Sequence, residues 1–111
     1  MAASRPPRRG DVWLAALDPT LGSEIQKTRP CVVVSPPEMN EHLRTMVVAP
    51  MTTGSRPAPF RIPITFQRKN GLILLDQLRT LDRQRLVKRL GVANAGTLAR
   101  VLDGLQAMFA P

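Results

Sequence analysis

Three groups of polar side chains lie directly beside apolar runs in this 111-residue sequence, where strands are expected to begin or end. They are Ser23, Glu24, Lys27 and Arg29 before "PCVVVSPP", Thr52 and Thr53 after "VVAPM", and Asp76, Gln77 and Arg79 after "GLILL". Aspartate disfavours strands, so a carboxylate directly after a run of apolar residues is unusual. A turn or a salt bridge explains each group alone, but three such groups in a small chain predict a common functional site.

The charge of the chain indicates an anionic partner. Lysine and arginine number 16 against 8 acidic residues, which gives a formal charge of +8 and a pI near 11.5. Such a field attracts polyanions, so nucleic acid or an acidic protein is the expected partner. Arginine dominates, and its guanidinium forks phosphate oxygens bidentately. Coding at high GC content also enriches arginine, alanine and proline, and it stays as the alternative explanation.

Several kinds of chemistry lack their motifs. The sequence has no CxxC, no HExxH, no phosphate-binding glycine loop and no cluster of histidine and acidic residues at ligand spacing, so no metal site is predicted. His42 is expected to be a solvated loop residue, and Cys31 a buried small hydrophobe. Periodicity places Phe60, Phe66 and Phe109 in the core, which argues against a broad base-stacking platform.

The length predicts a single domain over residues 9–111, preceded by a flexible basic arm over residues 1–8. The N-terminus has no apolar segment typical of a signal peptide, and no run is long enough to span a bilayer. A cytoplasmic protein is therefore the expectation.

Turn residues divide the chain into short strands. "GDVWLAALDP", "PCVVVSPP" and "TMVVAPM" are apolar segments bounded by glycine or proline. "FRIPITF" alternates, and Pro63 within it predicts an edge position or a bulge because proline cannot donate to a ladder. "GLILLDQL" predicts a strand buried on both faces, and "RLVKRLGV" predicts a last strand.

The C-terminus changes to a helical period. The apolar residues fall at three- and four-residue steps and are Leu98, Val101, Leu102, Leu105 and Phe109. Asn94 is the expected N-cap of this amphipathic helix, and "PPEMNEHL" can contribute a short helical turn. Five or six short strands with one terminal helix predict a mainly β chain with helices (α+β), folded as a strongly bent sheet or partly open barrel.

Four segments together resemble a known family. "RRGDVWLAALDPTLGSE", "RPCVVVSPPEMN", "VVAPMTT" and "LLDQLRTLDRQRL" closely resemble the MazF/PemK toxins of bacterial toxin–antitoxin pairs, in order and spacing, from about Arg9 to the C-terminal helix. The signatures "GSE…RP" and "DQLRT" are specific in combination. The resemblance implies a small SH3-like, partly open antiparallel barrel of the MazF/CcdB-like kind, usually a homodimer.

The resemblance also implies an activity and partners. It implies the toxin of a type II toxin–antitoxin system, a ribosome- and metal-independent endoribonuclease that cuts single-stranded RNA at short motifs and needs no cofactor. Attack by the ribose 2′-OH would leave a 2′,3′-cyclic phosphate and a 5′-OH. An acidic, partly disordered antitoxin would hold the toxin inactive, and operator DNA would be reached only through that antitoxin. No membrane association is expected.

Two alternatives stay open. One is a CcdB-like toxin that poisons gyrase by protein contact, and the other is a non-catalytic RNA-binding barrel. The "RP…PMT" pair argues against the first, because a gyrase binder has no need of an arginine–threonine phosphate site.

The family pattern also suggests residue roles. Its catalytic arginine matches Arg29 in "TRP" and its catalytic threonine matches Thr52 in "PMT". A guanidinium and a hydroxyl can both donate to phosphoryl oxygens, and Pro30 restricts Arg29 to an extended backbone. Further RNA contacts are expected from Ser23, Lys27, Thr53, Asp76, Gln77 and Arg79.

The general base is open between Glu24 and Asp76. The PemK-like branch assigns the equivalent of Asp76 as base, with an arginine two residues earlier and a histidine in the first loop. This chain has Leu74 and Ser23 at those positions, which favours the MazF-like arrangement and Glu24. Many relatives have a "GSEQGG" loop where this chain has a bulkier, more basic one, and Lys27 in it is predicted to contact phosphate.

Overall fold

The computed structural model describes residues 5–111, and in this part of the chain an antiparallel sheet is accompanied by two helices. The elements in chain order are β1 (Asp11–Ala16), β2 (Thr28–Val33), α1 (Pro37–Asn40), β3 (Thr45–Thr52), β4 (Arg61–Phe66), β5 (Lys69–Leu74), β6 (Arg79–Asp82), β7 (Leu86–Val92) and α2 (Ala95–Phe109). The strand order is β4-β5-β3-β2-β1-β7, with β6 paired to β3 outside this path. The predicted fold, a mainly β, partly open barrel with a C-terminal helix, is confirmed.

Strand β3 is the branch point of the sheet. One edge pairs with β2, while the other pairs with β6 along 45–48 and with β5 at Met51 and Thr52. Because two strands share one edge of β3, the sheet divides and curls at this strand. Thr52, the last residue of β3, therefore lies where β3 pairs with β5 of the β4–β5 hairpin.

Most predicted elements are present, with two differences. Strand β6 was not predicted, because it has four residues and only Leu81 in it is buried. The predicted "GLILLDQL" strand ends at Leu74, and Leu75–Gln77 form a 3₁₀ turn instead. Burial of this apolar run on both faces is confirmed, and Pro63 does lie on the edge strand β4.

Helix α2 packs against the main core cluster of the sheet through Val101, Leu105 and Met108. The Asn94 side chain accepts a hydrogen bond from the Thr97 N–H at 2.8 Å, which confirms the predicted cap. Val101 is fully buried, and a Cβ at Gly104 would lie 2.7 Å from Leu75 Cδ1. The helix therefore lies directly against the 3₁₀ turn that contains Asp76.

The placement of two phenylalanines in the core was wrong. Phe109 is 72% exposed, although Met108 beside it in the last turn of α2 packs against the core, and Phe60 is 39% exposed directly before β4. Phe66 packs against the core as predicted, with its ring close to Gly91. Cys31 is buried as predicted, and burial raises the pKa of its thiol to about 12 although Arg79 opposes the shift.

Four arginines serve the scaffold by donating to main-chain carbonyl groups. Arg9 donates to Val34 O at 2.9 Å, Arg79 to Leu17 O at 2.8 Å, Arg85 to the Ala16 and Asp18 oxygens, and Arg83 to Asn40 O. Three of these contacts join the C-terminal half of the chain to the end of β1. Four of the 16 cationic residues therefore stabilise the fold in addition to contributing positive charge.

Asp11 anchors the N-terminal segment. Arg5 Nη1 lies 2.9 Å from its carboxylate, the Arg8 N–H also donates to it, and Arg89 Nε approaches at 3.5 Å. Burial raises the pKa of Asp11, but the hydrogen bonds from Arg5, Arg8 and Trp13 outweigh burial, so the net pKa is lowered. Residues 1–4 of the predicted flexible arm lie outside the described residues. Neither helix of the described chain has the length and apolarity to cross a membrane.

Candidate active site

Arg29 is the second residue of β2 and is half-buried beside β1. It pairs with Ala15 in the β1–β2 ladder, and its Nε donates to the Gln26 carbonyl at 3.1 Å. Pro30 follows it within the strand, so the backbone of Arg29 is extended, as proline requires of the preceding residue. These contacts hold the backbone and Nε of Arg29 in place. Within the described chain no group pairs with its terminal nitrogens, so they are available to bind an anion.

Thr52 ends β3 beside the backbone of β5. It pairs with Leu72, and its Oγ1 accepts a hydrogen bond from the Gly54 N–H at 3.2 Å. Because the oxygen accepts from the backbone, the hydroxyl hydrogen is left to donate elsewhere. A Cβ at Gly71 would lie 2.8 Å from the Thr52 carbonyl oxygen, so only glycine lets β5 come this close.

Arg29 and Thr52 line one pocket of about 260 Å³, which we call the cationic pocket. Its lining is Arg29, Pro30, Met51, Thr52, Thr53, Ile64, Phe66, Gln67, Lys69 and Gly71. Two cationic side chains and two hydroxyl groups are present, and no carboxylate is among the described lining residues. This composition suits a phosphate group.

Sequence reasoning missed Gln67 and Lys69 in this pocket. Both lie at the tip of the β4–β5 hairpin, where Gln67 and Arg68 have positive φ angles of 50° and 65°. Two-residue hairpin turns of this type usually contain asparagine, aspartate or glycine. The "FQRKN" sequence therefore gave no turn signal from which a hairpin beside Arg29 could have been predicted.

The other predicted site residues, apart from Lys27, line a second pocket of about 480 Å³, which we call the balanced pocket. Its lining is Ser23, Glu24, Arg61, Asp76, Gln77, Leu78 and Arg79. Two carboxylates and two guanidiniums give it no net charge. The predicted site residues are thus divided between two pockets. Glu24 lines the balanced pocket and Arg29 lines the cationic pocket, although only five positions separate them in the sequence.

Arg61 and Asp76 form a bidentate ion pair in the balanced pocket. Arg61 Nε lies 3.2 Å from Asp76 Oδ1, and Nη2 lies 3.0 Å from Oδ2. The hydrogen bond with Asp76 raises the pKa of Arg61. Sequence analysis did not identify Arg61, because the pair depends on the pairing of β4 with β5, which brings Arg61 opposite Leu74.

Gln77 and Glu24 hold the loop between β1 and β2 in place. The Gln77 side-chain oxygen accepts from the Ile25 N–H at 2.6 Å, and its nitrogen lies 3.5 Å from Ser23 O. Glu24 Oε1 accepts from the Leu21 N–H at 2.6 Å. Gln77, which was predicted to contact RNA, therefore has both ends of its amide occupied by the loop.

Lys27 lies in neither pocket. Its backbone has a φ of 70°, its N–H donates to Asp18 Oδ1 at 3.0 Å, and its carbonyl accepts from the Leu17 N–H. The Lys27 side chain is exposed, while hydrogen bonds hold both its backbone N–H and its carbonyl group. His42 is likewise exposed, in the turn after α1, as predicted for a solvated loop residue.

The sequence matches the family described as PemK-like, MazF-like toxin of type II toxin–antitoxin system over residues 8–109. The chain belongs to this toxin family. The toxin is 35% identical over 104 residues to Endoribonuclease MazF of Staphylococcus epidermidis, covering 88% of this chain and 87% of that protein. Membership and this relationship class the toxin as an endoribonuclease.

Solved structures agree with the fold of the toxin. It is similar to crystalline MazF from Deinococcus radiodurans, with a TM-score of 0.83 and 29% identity over 95% of this chain and 97% of that one. A MazE–MazF crystal structure from the same organism gives a TM-score of 0.78 and 26% identity, covering 96% and 98% of the two chains.

Proposed function

We propose that this toxin cleaves single-stranded RNA without a metal ion, by attack of a ribose 2′-OH on the adjacent phosphorus. The observation that carries the proposal is the presence of Arg29 and Thr52 in one cationic pocket that has no carboxylate among its described lining residues. A scissile phosphodiester is the ligand that this combination fits, because a carboxylate would repel it and two cations attract it.

The reaction balances without a cofactor. The 2′-oxygen forms a bond to phosphorus as a base takes its proton, and the bond from phosphorus to the 5′-oxygen breaks as that oxygen gains a proton. The products are a 2′,3′-cyclic phosphate and a 5′-OH. Arg29 stabilises the charge that grows on the phosphoryl oxygens, and the Thr52 hydroxyl donates to the same group. Lys69 adds a second positive charge to the pocket.

Glu24 is the better of the two proposed bases. Both oxygens of Asp76 accept hydrogen bonds from Arg61, so Asp76 could take a proton from a 2′-OH only by giving up part of this ion pair. Glu24 uses Oε1 to accept from Leu21, and its other oxygen has no partner within the described chain. Since Glu24 lines the balanced pocket, this role requires RNA to extend across both pockets, with the 2′-OH between them.

The proposal also includes partners. An acidic antitoxin suits the +8 charge of the toxin, and the similar MazF of D. radiodurans has been crystallised with MazE. We extend to this toxin a homodimeric state, neutralisation by its own antitoxin in the cytoplasm, contact with operator DNA only through that antitoxin, and translation arrest through cleavage of mRNA.

Purified toxin incubated with labelled RNA in EDTA tests the proposal. Wild type should cut, and its products should accept a kinase-transferred phosphate at a free 5′-OH without prior phosphatase treatment. R29A should lower the cleavage rate roughly 10²- to 10³-fold, whereas R44A, an exposed arginine in neither pocket, should cut normally.

R29K separates charge from geometry, because lysine keeps the charge and loses the planar fork. A large loss of rate in R29K would support bidentate binding of the phosphate. Intact RNA from a wild-type preparation that arrests growth would contradict the proposal and point to a protein target. Undiminished cleavage by R29A would remove Arg29 from the mechanism.

A further inference from the structure

The two pockets differ in charge and therefore suit different parts of an RNA chain. The cationic pocket contains Arg29 and Lys69 without a carboxylate among its described lining residues. The balanced pocket contains Arg61 and Arg79 together with Glu24 and Asp76, so its charges cancel. A phosphate entering the balanced pocket would meet two carboxylates, and like charges at close range are unfavourable. An uncharged base meets no such repulsion there.

Arg61 keeps two N–H groups for such a base. Its Nε and Nη2 donate to Asp76, and its Nη1 donates to the Arg56 carbonyl at 3.3 Å. A guanidinium has five N–H donors, so one N–H remains on each terminal nitrogen within the described chain. These two nitrogens form the fork that a pair of adjacent acceptors requires.

The backbone holds this guanidinium in position. Phe60, directly before Arg61, has a φ of 64°, which is rare for a bulky residue. Its carbonyl accepts from the Leu75 N–H at 3.0 Å, next to Asp76 in the chain. The backbone hydrogen bond between Phe60 and Leu75 and the ion pair between the next residues, Arg61 and Asp76, therefore join the two segments at two successive positions. Strain of this kind persists where the surrounding structure enforces it, often at binding sites.

We infer that Arg61 reads a guanine of the RNA by donating two hydrogen bonds to its O6 and N7 atoms. Arginine bound to O6 and N7 is the commonest base-specific contact in protein–DNA complexes, and guanine alone among the purines presents two adjacent acceptors there. A protein can splay out the bases of single-stranded RNA and bind this edge directly. The inference rests on the proposed endoribonuclease function and assigns to Arg61 part of the sequence specificity of that function.

The first experiment sequences the RNA ends that wild type, R61A and R44A produce from a randomised single-stranded pool. Wild type should cut at a motif with guanine at one fixed position from the cut. R61A should lose the preference for guanine at that position roughly tenfold or more and cut more slowly at the best motif. R44A removes the same side chain outside both pockets and should keep the wild-type motif.

A second experiment tests the hydrogen bond itself. An oligonucleotide with 7-deazaguanine at the preferred position lacks the N7 acceptor but pairs and stacks as guanine does. Wild type should cut it roughly tenfold more slowly than the guanine version, and R61A should not distinguish the two. D76N, which removes the charge that holds Arg61, should reduce the discrimination, and thermal melting checks that each variant is folded.

The outcomes separate this inference from the function on which it rests. A wild-type motif without a fixed guanine, a cytosine at the position that R61A affects, or an unchanged motif in R61A would overturn it while leaving RNA cleavage intact. A uniform loss over all sequences with a shallower salt dependence would make Arg61 a phosphate contact and also overturn it. If wild type cuts nothing, the proposed function fails. Fluorescence anisotropy with guanine and 7-deazaguanine oligonucleotides then tests base reading directly, and equal affinity rejects it.

Discussion

The backbone of Gly71 lies so close to Thr52 that a Cβ at position 71 would be 2.8 Å from the Thr52 carbonyl oxygen. The contact places β5 directly behind the end of β3, where Thr52 enters the cationic pocket. The position of a proposed catalytic hydroxyl is thus set by the absence of a side chain on the neighbouring strand. Gly71 is a positioning residue in this arrangement.

Replacing Gly71 by alanine should displace Thr52 and lower kcat at least tenfold. Overpacking of this kind costs about 1–3 kcal/mol of stability, so melting should also fall. G96A is a matched control, because a Cβ there meets only Asn94 Oδ1 at 3.5 Å and alanine favours helices. G96A should keep full activity and melt no lower than wild type. Normal kcat in a G71A protein would show that Thr52 tolerates the shift.

Removing the Gln77 side chain should loosen the loop that contains Glu24. The Ile25 N–H loses its acceptor in Q77A, so hydrogen exchange at this amide should accelerate roughly tenfold or more. Q77E keeps an acceptor oxygen and should restore much of the protection of Ile25. Equal exchange in wild type and Q77A would mean that the loop is held by other contacts and that Gln77 is free to bind RNA.

The Lys27 side chain is predicted to contact phosphate. K27A should weaken RNA binding to a similar extent for all sequences and reduce the slope of log affinity against log salt by about one. Fluorescence anisotropy between about 50 and 200 mM salt measures this slope. K88A, which removes a lysine from an exposed position of β7, is the control for net charge alone. A K27A slope that matches that of K88A would reject the specific contact.

The buried Cys31 thiol should make stability depend on alkaline pH. Burial raises its pKa from 9.0 in the reference state to about 12, so the folded protein disfavours the thiolate. A group whose pKa is higher in the folded protein than in the unfolded chain stabilises the fold at pH values below its unfolded pKa. This stabilisation is lost as the pH rises from about 9 towards 12. By about pH 10.5 this contribution should have fallen by about 2 kcal/mol.

Urea unfolding of wild type and C31A at about pH 8 and pH 10.5 measures the effect of Cys31. The stability of wild type should fall more than that of C31A over this range, so that the difference between them narrows. An unchanged difference would show that the thiol ionises normally in the folded protein. Both proteins share every other ionisable group, so the contributions of those groups cancel in the comparison.

The fold and part of the candidate site could be predicted from the sequence. The positions of Arg29 and Thr52 could be predicted because each stands at the end of an apolar run where a strand begins or ends. Arg61 and Lys69 could not, because their places depend on a hairpin whose Gln67–Arg68 turn has no typical turn residue. Phe109 was misplaced because a helical period defines an apolar face of α2 without showing how deeply each position on it is buried: Val101 is fully buried, whereas Phe109 is exposed.

The arginines that donate to main-chain carbonyls have a practical consequence for anyone who lowers the charge of this toxin to improve its expression. Arg79 and Arg85 tie the end of β1 to later strands through geometry that lysine does not reproduce. Exposed cations such as Arg44 and Lys88 are the suitable places for neutral substitutions. Two cationic residues that add the same charge can therefore differ greatly in how well the fold tolerates their replacement.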